Sequence, residues 1–246
     1  MTAPSSVACA IVEPRNHCAL LDTVANVHAS LGCGVDLFHG EDNVQLAKHV
    51  RDGLPSGAVT LHQLPVKGLT TSGYSDLLMT SQFWDQLRAA NPEHSHVLIF
   101  QTDSGVCAPL AAADSALRAA LQHEYCGAPW PPQNDPQVGN GGFSLRDIDA
   151  TRRLLLSRRQ VPKGSEVPED LFFSRHLDTC PRETAVRFSA ETSYQAGGRP
   201  PMGFHAWWKY YPPPVLTVCP QAAHNHFLNA FHETQESAID ALAPAR

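Results

Sequence analysis

Three short segments contain the side chains that could do chemistry. Asp103 follows the apolar stretch 96–100, three glycines lie within residues 139–142, and Glu169 stands next to Asp170. A carboxylate after a strand can hold a diphosphate through a divalent cation, and bare backbone lets a sugar approach closely. A further carboxylate can accept the proton of a hydroxyl group. In this order, the three segments predict sugar transfer from a nucleotide-diphospho-sugar to an acceptor hydroxyl.

Asp103 is the candidate for the diphosphate, because its carboxylate can bind Mg²⁺ or Mn²⁺ and so neutralise the departing group. Two acids separated by one residue would hold such a cation better, but the residue two positions earlier is Gln101. The other interpretation of Asp103 is a turn residue that ends a strand. We predict that Gln101 and Asp103 bind the donor and that Asp103 is a metal ligand.

The glycine segment is the candidate for contact with the donor sugar. Gly141 and Gly142 leave their backbone N–H groups accessible. Ser144, with Asp147 three residues later, resembles a capping box and predicts a helix whose N-terminus points at the glycines. An anion or a sugar could bind there without a side-chain clash. The alternative is a tight turn between a strand and a helix.

Glu169 and Asp170 are predicted in the first turn of a helix that begins at Pro168. One of the two could deprotonate the acceptor hydroxyl. The apolar residues 171–173 would exclude water and raise the pKa of a neighbouring carboxyl group. The helix dipole alone also favours acids at this place, so a structural role is the alternative.

His205 lies in an aromatic segment and is predicted either as a metal ligand or as a packed core residue. Its imidazole could partly replace the acidic residue that is missing at position 101, where the chain has Gln101. Aromatic side chains nearby in sequence, and one further upstream, could stack on a sugar or a base. These are Trp207, Trp208, Tyr210, Tyr211 and Trp130.

Alternating strands and helices must position these residues. The predicted strands are 7–12, 34–38, 59–64 and 96–100, and the predicted helices are 19–31, 43–50 and 74–87. Such alternation is typical of βαβ units and a mostly parallel sheet. Ligands bind beyond the carboxyl ends of these strands, where Glu13, Arg15, His39 and Asp103 stand. We therefore predict Glu13, Arg15 and His39 as further donor-site residues.

The fold class predicted from this pattern is α/β, with a mixed, mostly parallel central sheet flanked by helices. In the second half of the chain, local signals predict a short strand over 185–188 and a closing helix over 224–242. We expect a single domain over 1–246. Its front half, 1–107, would bind the nucleotide, and its rear half, 108–246, would hold the acceptor and the catalytic groups.

Composition excludes several classes of protein. A hydrophobic content of 43% predicts a folded core, and a net charge of −6 without a basic stripe argues against nucleic acid as a partner. No apolar run has the length of a membrane span or the form of a signal peptide. The seven cysteines lack a C-x-x-C pair and are predicted to be buried free thiols. With no Asn-x-Ser/Thr site, the expected location is cytoplasmic.

Several segments together resemble the DUF5672 family, which is regarded as glycosyltransferase-like with a GT-A type nucleotide-diphospho-sugar fold. The layout is also similar to inverting galactosyltransferases and Fringe-like enzymes. The resemblance implies a nucleotide-sugar donor, most simply a UDP-sugar, and a small-molecule, glycan or protein acceptor. The segments that carry it are 100–104, 125–130, 138–146, 168–173, 188–191 and 203–205.

The resemblance also implies roles for individual residues. Asp103 would hold the diphosphate or the metal, Mn²⁺ or Mg²⁺, and His205 would be a late metal ligand. Glu169 or Asp170 would be the base. The donor sugar would lie over Gly141 and Gly142. The departure from the family pattern is Gln101, so the cations that could neutralise the diphosphate instead of a metal are Arg15, Arg146 and Lys209.

Two other functions fit the same pattern. A nucleotidyltransferase of this fold would join a sugar phosphate to a nucleoside triphosphate and release pyrophosphate. A non-catalytic protein would bind a nucleotide-sugar or a carbohydrate without turning it over, and the missing acid at Gln101 favours this alternative.

Overall fold

The computed structural model describes residues 7–107, 110–158, 161–192, 200–206, 209 and 219–242. The strands in these ranges are β1 (Val7–Val12), β2 (Val35–His39), β3 (Val59–Gln63), β4 (His96–Phe100), β5 (Ser104–Val106), β6 (Tyr125–Pro129), β7 (Val138–Asp147), β8 (Ser189–Ala190) and β9 (Gly203–His205). The helices are α1 (Leu20–Leu31), α2 (Val44–Asp52), α3 (Thr71–Leu78), α4 (Ser81–Ala90), α5 (Leu110–Ala120), α6 (Ile148–Ser157), α7 (Glu169–His176), α8 (Arg182–Phe188) and α9 (Pro220–Leu242).

Within the described residues, six strands form the central sheet in the order β3-β2-β1-β4-β7-β6. The strands β3, β2, β1 and β4 are parallel, and β7 runs antiparallel to both of its neighbours. The chain adds β2 and β3 on one side of β1 and then places β4 on the other side. A change of direction of this kind opens a crevice at the carboxyl ends of the two middle strands. The predicted mixed, mostly parallel sheet is confirmed.

Helices cover both faces of the sheet because alternate residues of its strands point to opposite sides. In β1, Cys9 and Ile11 join a core with α1, α2, α5 and α8, whereas Ala8 and Ala10 join a core with α3, α4, α6 and α7. A small second sheet, β5-β9-β8, lies beyond the carboxyl end of β4. None of the described helices is both long and apolar enough to cross a lipid bilayer.

The front half follows its local sequence closely. The strands predicted over 7–12 and 96–100 have these bounds. The strand predicted over 34–38 lies one residue later, at Val35–His39, and the strand predicted over 59–64 ends one residue earlier, at Gln63. The helix predicted over 74–87 is instead divided into α3 and α4. The division occurs because Thr70 and Thr80 each act as an N-cap, accepting hydrogen bonds from the backbone of Gly73 and Phe83.

The rear half contains two errors of prediction. The glycines and Ser144 lie within β7, and the following helix starts later, at Ile148, where the Asp147 side chain accepts a hydrogen bond from Ala150 N at 2.7 Å. Asp147 is therefore the N-cap, and the N-terminus of α6 does not point at the glycines. The strand predicted over 185–188 is the end of α8.

The prediction that the cysteines are free thiols is wrong for six of the seven. The fold pairs Cys9 with Cys33, Cys107 with Cys219 and Cys126 with Cys180, and Cys18 alone remains free. Sequence separations of 24, 54 and 112 residues gave no local signal for these pairs. Disulfides are typical of proteins in oxidising environments.

Candidate active site

A cleft of about 410 Å³ opens at the carboxyl ends of β1 and β4. Its other walls come from α3 and α9. The crevice expected from the strand order is thus present in the structure. Five residues predicted from the sequence line this cleft: Glu13, Arg15, Gln101, Asp103 and Lys209.

Glu13 and Arg15 form one side of this cleft. Glu13 is buried, and its carboxylate accepts hydrogen bonds from the Arg15 backbone N at 3.0 Å, Nε at 2.9 Å and Nη2 at 2.8 Å. Asn43 donates to the backbone carbonyls of both residues, which fixes the turn after β1. The predicted donor residue His39 lies apart from the cleft lining, because its ring is buried and its Nδ1 pairs with Gly40 O at 2.8 Å.

Asp103 is the centre of a cluster of four charged side chains. Its Oδ1 lies 3.3 Å from His205 Nε2 and its Oδ2 lies 3.5 Å from Lys209 Nζ. The other imidazole nitrogen, Nδ1, lies 3.4 Å from Glu191 Oε1. The turn after β4 therefore meets β9 through ion pairs, and His205 stands between two carboxylates.

Burial and the neighbouring charges have opposite effects on the pKa values of Asp103 and His205. Burial alone would raise the pKa of the Asp103 carboxyl, but His205 and Lys209 outweigh it and hold this pKa well below its ordinary value. Burial also disfavours a charged imidazole, yet the carboxylates of Asp103 and Glu191 raise the pKa of His205 to about 10. The cluster thus contains a protonated histidine at neutral pH.

Asp103 and His205 fit a divalent cation in the type of ligand atom, since carboxylate oxygen and imidazole nitrogen both bind such ions. Binding would require His205 to lose the proton that its two carboxylate neighbours favour. Among the described residues, the three-membered group of closely spaced ligand atoms is elsewhere, at His17, Cys18 and His232.

The glycines of β7 make room for the protein's own side chains. A Cβ at Gly142 would overlap the imidazole ring of His205, and a Cβ at Gly141 would lie 2.7 Å from Glu169 Oε1 and 2.9 Å from Asp170 Cβ. The strand bulges here, since its pairing with β6 shifts register. Gly141 and Gly142 therefore lie between the Asp103 cluster and the acidic pair, each in contact with one of the two.

The guanidinium of Arg146 is fully buried and binds Glu169 in a bidentate manner. Nη1 donates to Oε2 at 2.6 Å and Nη2 to Oε1 at 3.1 Å, while Nε donates to Ser144 Oγ at 3.0 Å. The rings of Tyr125 and Phe173 lie 5.2 and 5.3 Å from the guanidinium carbon. Arg146 was predicted as a possible partner of a diphosphate, but it is enclosed in the core, and Glu169 is its counter-ion.

Asp170 is only partly buried, and within the described part of the chain it forms no ion pair of its own. Oδ2 accepts a hydrogen bond from Gly141 N at 3.3 Å, and Oδ1 accepts one from Leu171 N at 2.7 Å. Burial and the charge of Glu169 raise the pKa of Asp170 to about 6. A carboxylate with a pKa close to neutrality is suited to accept a proton from a bound hydroxyl.

Sequence reasoning missed Tyr74 and two asparagines. Tyr74 lines the cleft, and its hydroxyl is buried without a hydrogen-bond partner among the residues that the structure describes. Asn225 and Asn229, on one face of α9, both donate to the Thr102 carbonyl, at 2.9 and 3.1 Å. Their spacing of four residues was a signal that could have been used.

Only one of the five aromatic residues predicted to stack on a sugar or a base is among the described residues. Trp207, Trp208, Tyr210 and Tyr211 lie outside the described residues. Trp130 is described, and its ring lies beside Gly139 instead of in the cleft lining.

The chain matches the model of a family described as "Protein of unknown function (DUF5672)" over residues 59–205, which is more than half of its length. It therefore belongs to this family, as the sequence resemblance predicted. No protein of curated function matches the chain.

Solved structures with a similar fold include the galactosyltransferase LgtC in complex with donor and acceptor sugar analogs. This similarity has a TM-score of 0.53 at 13% identity and covers 91% of the present chain and 95% of LgtC. An active-site mutant of LgtC is similar, with a TM-score of 0.52 at 14% identity over 90% and 95% of the two chains. The glycosyltransferase fold of GT-A type is thus confirmed, and at this identity the similarity concerns the fold alone.

Proposed function

We propose that this member of the DUF5672 family is a glycosyltransferase that moves a sugar from a nucleotide-diphospho-sugar, most simply a UDP-sugar, to an acceptor hydroxyl. The observation that carries the proposal is the position of Asp170. This acid has a raised pKa and touches Gly141, and the neighbouring Gly142 touches the Asp103 cluster at the cleft. The proposed base and the proposed donor site would thus lie on the two sides of one glycine pair.

The donor would bind in the cleft between β1 and β4. Arg15 and Lys209 expose about half of their side chains there and would attract the diphosphate. If a cation is used, Asp103 and His205 would hold it, and Mn²⁺ or Mg²⁺ would add positive charge beside the leaving group. Residues 1–107 would supply most of the donor site, and residues 108–246 the acceptor side and the base.

In the proposed reaction the acceptor oxygen attacks the anomeric carbon as the bond to the diphosphate breaks. The diphosphate leaves with the electron pair, and the acceptor proton passes to the Asp170 carboxylate. Glu169 is unsuited to this role because both of its oxygens bind Arg146. A direct displacement of this kind inverts the anomeric centre.

The test compares Asp170→Asn with Glu169→Gln. We expect Asp170→Asn to fold normally and to lose sugar transfer by roughly 10²- to 10⁴-fold, the usual contribution of a positioned general base. Glu169→Gln leaves the buried Arg146 unpaired, so its main effect should be a loss of stability of about 3 to 5 kcal/mol. Transfer is measured with a panel of nucleotide-sugars and acceptors, and stability by chemical denaturation.

The same panel separates the alternatives. Transfer by Asp170→Asn at the wild-type rate would contradict the role of Asp170, and a product with retained anomeric configuration by NMR would contradict direct displacement. Pyrophosphate release from a nucleoside triphosphate and a sugar phosphate would instead indicate a nucleotidyltransferase. Tight donor binding by wild-type protein without transfer or hydrolysis would indicate a binding protein.

A further inference from the structure

His17, Cys18 and His232 bring two imidazoles and one thiol together at the edge of the cleft. One ligand atom from each residue lies within 4.8 Å of the other two. His17 and Cys18 follow β1 in the chain, whereas His232 lies 215 positions beyond His17 on α9. The fold therefore creates this group by docking α9 against the loop between β1 and α1.

The geometry of the group is restrained by its surroundings. The rings of His17 and His232 lie 3.9 Å apart between centroids, and both are buried. His17 Nδ1 accepts a hydrogen bond from Ala19 N at 3.2 Å. The Cys18 thiol donates to the carbonyl of Leu228 in α9 at 3.1 Å. Three side chains of suitable chemistry are thus held on two elements that pack together.

Cys18 differs from every other cysteine of the chain. The remaining six are joined in disulfides, but Cys18 is free and exposed. A free thiol beside two imidazoles offers the nitrogen and sulfur ligands that zinc prefers, whereas hard ions such as Mn²⁺ and Mg²⁺ prefer oxygen ligands. Three protein ligands are also the usual number at zinc sites that keep a fourth position open.

We propose that His17, Cys18 and His232 form a zinc site at the rim of the cleft, with a fourth position open to water or to an oxygen of a bound ligand. The site is separate from the Asp103 and His205 pair and does not depend on sugar transfer. Zinc binding would replace the thiol proton and the hydrogen bond to Leu228.

The reactivity of Cys18 tests the proposal, because this is the one thiol that a reagent can modify in the oxidised chain. Alkylation of wild-type protein by iodoacetamide is followed by mass spectrometry with Zn²⁺, with Mn²⁺ and after EDTA. We expect a stoichiometric amount of Zn²⁺ to slow alkylation at least about tenfold, because a metal-bound thiolate is blocked. Mn²⁺ should have no effect, and EDTA should restore the rate.

The variants His17→Gln and His232→Gln keep the thiol and remove one proposed ligand each, so zinc should no longer protect Cys18 in either. The matched control is His224→Gln on the same helix, whose imidazole is 59% exposed and lies outside the group. Absence of protection in the wild type, or protection that survives in either folded variant, would overturn the proposal.

A second measurement does not require a variant. Co²⁺ titrated into the wild-type protein should give the near-ultraviolet absorption of a thiolate–cobalt bond and the intense visible bands of four-coordinate geometry. Alkylation of Cys18 beforehand should abolish both. A spectrum of six-coordinate cobalt without the thiolate band would contradict the site even if both histidine variants failed to fold.

Discussion

Glu169 and Asp170 are neighbours in sequence, yet the fold gives them different environments. Adjacent residues of a helix point about 100° apart, so their side chains can have different surroundings. Glu169 points inward and binds Arg146 through both oxygens, whereas Asp170 remains partly exposed beside Gly141. At the scale of the residue, this difference separates a structural acid from a candidate base.

The raised pKa of Asp170 predicts how activity depends on pH. A base must be ionised to accept a proton, so the transfer rate should rise as pH passes through about 6 and then reach a plateau. The measurement is the pH profile of kcat/KM from roughly pH 4.5 to 8, which brackets this pKa. A profile that stays flat across pH 6 would show that Asp170 does not act as the base.

The same shift predicts a change in stability. The Asp170 pKa is 3.8 when unperturbed and about 6 in the fold, so the unfolded chain loses this proton first as pH rises. The stabilising contribution is complete below about pH 4 and is lost as pH passes through about 6, at a cost of up to about 3 kcal/mol. The unfolding free energy of Asp170→Asn, measured in urea, should therefore equal that of the wild type at about pH 4 and exceed it at about pH 7.5.

Gly142 offers a prediction about the Asp103 cluster. A methyl group at this position would overlap the His205 ring, so Gly142→Ala should displace His205 and destabilise the fold by about 1 to 3 kcal/mol. Nucleotide-sugar affinity, measured by calorimetry, should fall as well. Gly34→Ala is the control because a Cβ at Gly34 meets no atom within 4 Å. Equal stability of the two variants would contradict the close packing of His205.

At the scale of elements, α9 determines the position of the turn after β4. Asn225 and Asn229 donate to the Thr102 carbonyl, and Asp103 follows directly. The disulfide between Cys107 and Cys219 ties the start of α9 to the end of β5. A helix that is remote in sequence therefore holds the residue that would face the diphosphate.

Removing these amides should affect both stability and binding. Asn225→Ala with Asn229→Ala leaves the buried Thr102 carbonyl without these two donors, at a cost of about 1 to 3 kcal/mol. Donor affinity should fall because Asp103 loses its fixed position. Calorimetry measures the donor affinity, and chemical denaturation measures the unfolding free energy. Thr234→Ala, which removes an exposed hydroxyl bonded to Ala230 O on the same helix, should change neither.

At the scale of the whole molecule, three disulfides join distant parts of the chain. The bond between Cys107 and Cys219 closes the longest segment, with a sequence separation of 112, and should contribute about 4 to 5 kcal/mol by restricting the unfolded chain. Cys107→Ser with Cys219→Ser should lower the unfolding free energy by this order, and reduction of the wild type should lower Tm further. Cys18→Ser is the control and should have the wild-type Tm when both proteins are measured in EDTA. Unchanged stability after complete reduction would contradict structural disulfides.

The sequence alone determined the front half of the fold and the edge of the sheet where the candidate site lies. Strands β1 and β4 are short apolar runs bounded by polar turns, and their limits depend on a few adjacent residues. Because βαβ connections make the strands parallel, their carboxyl ends share one edge of the sheet, and local patterns were enough to assign Glu13, Arg15 and Asp103 to this edge. The family resemblance, too, was carried by short segments.

Only the tertiary structure decided which partner each functional side chain has. Whether Gly142 belongs to a loop or to a strand depends on pairing with β4 and on the space that His205 occupies. The disulfides, the Arg146–Glu169 pair and the His17–Cys18–His232 group likewise join segments that no local pattern relates. Periodicity and turn signals act over about ten residues, whereas these contacts depend on how complete elements pack, and packing is a property of the folded chain as a whole.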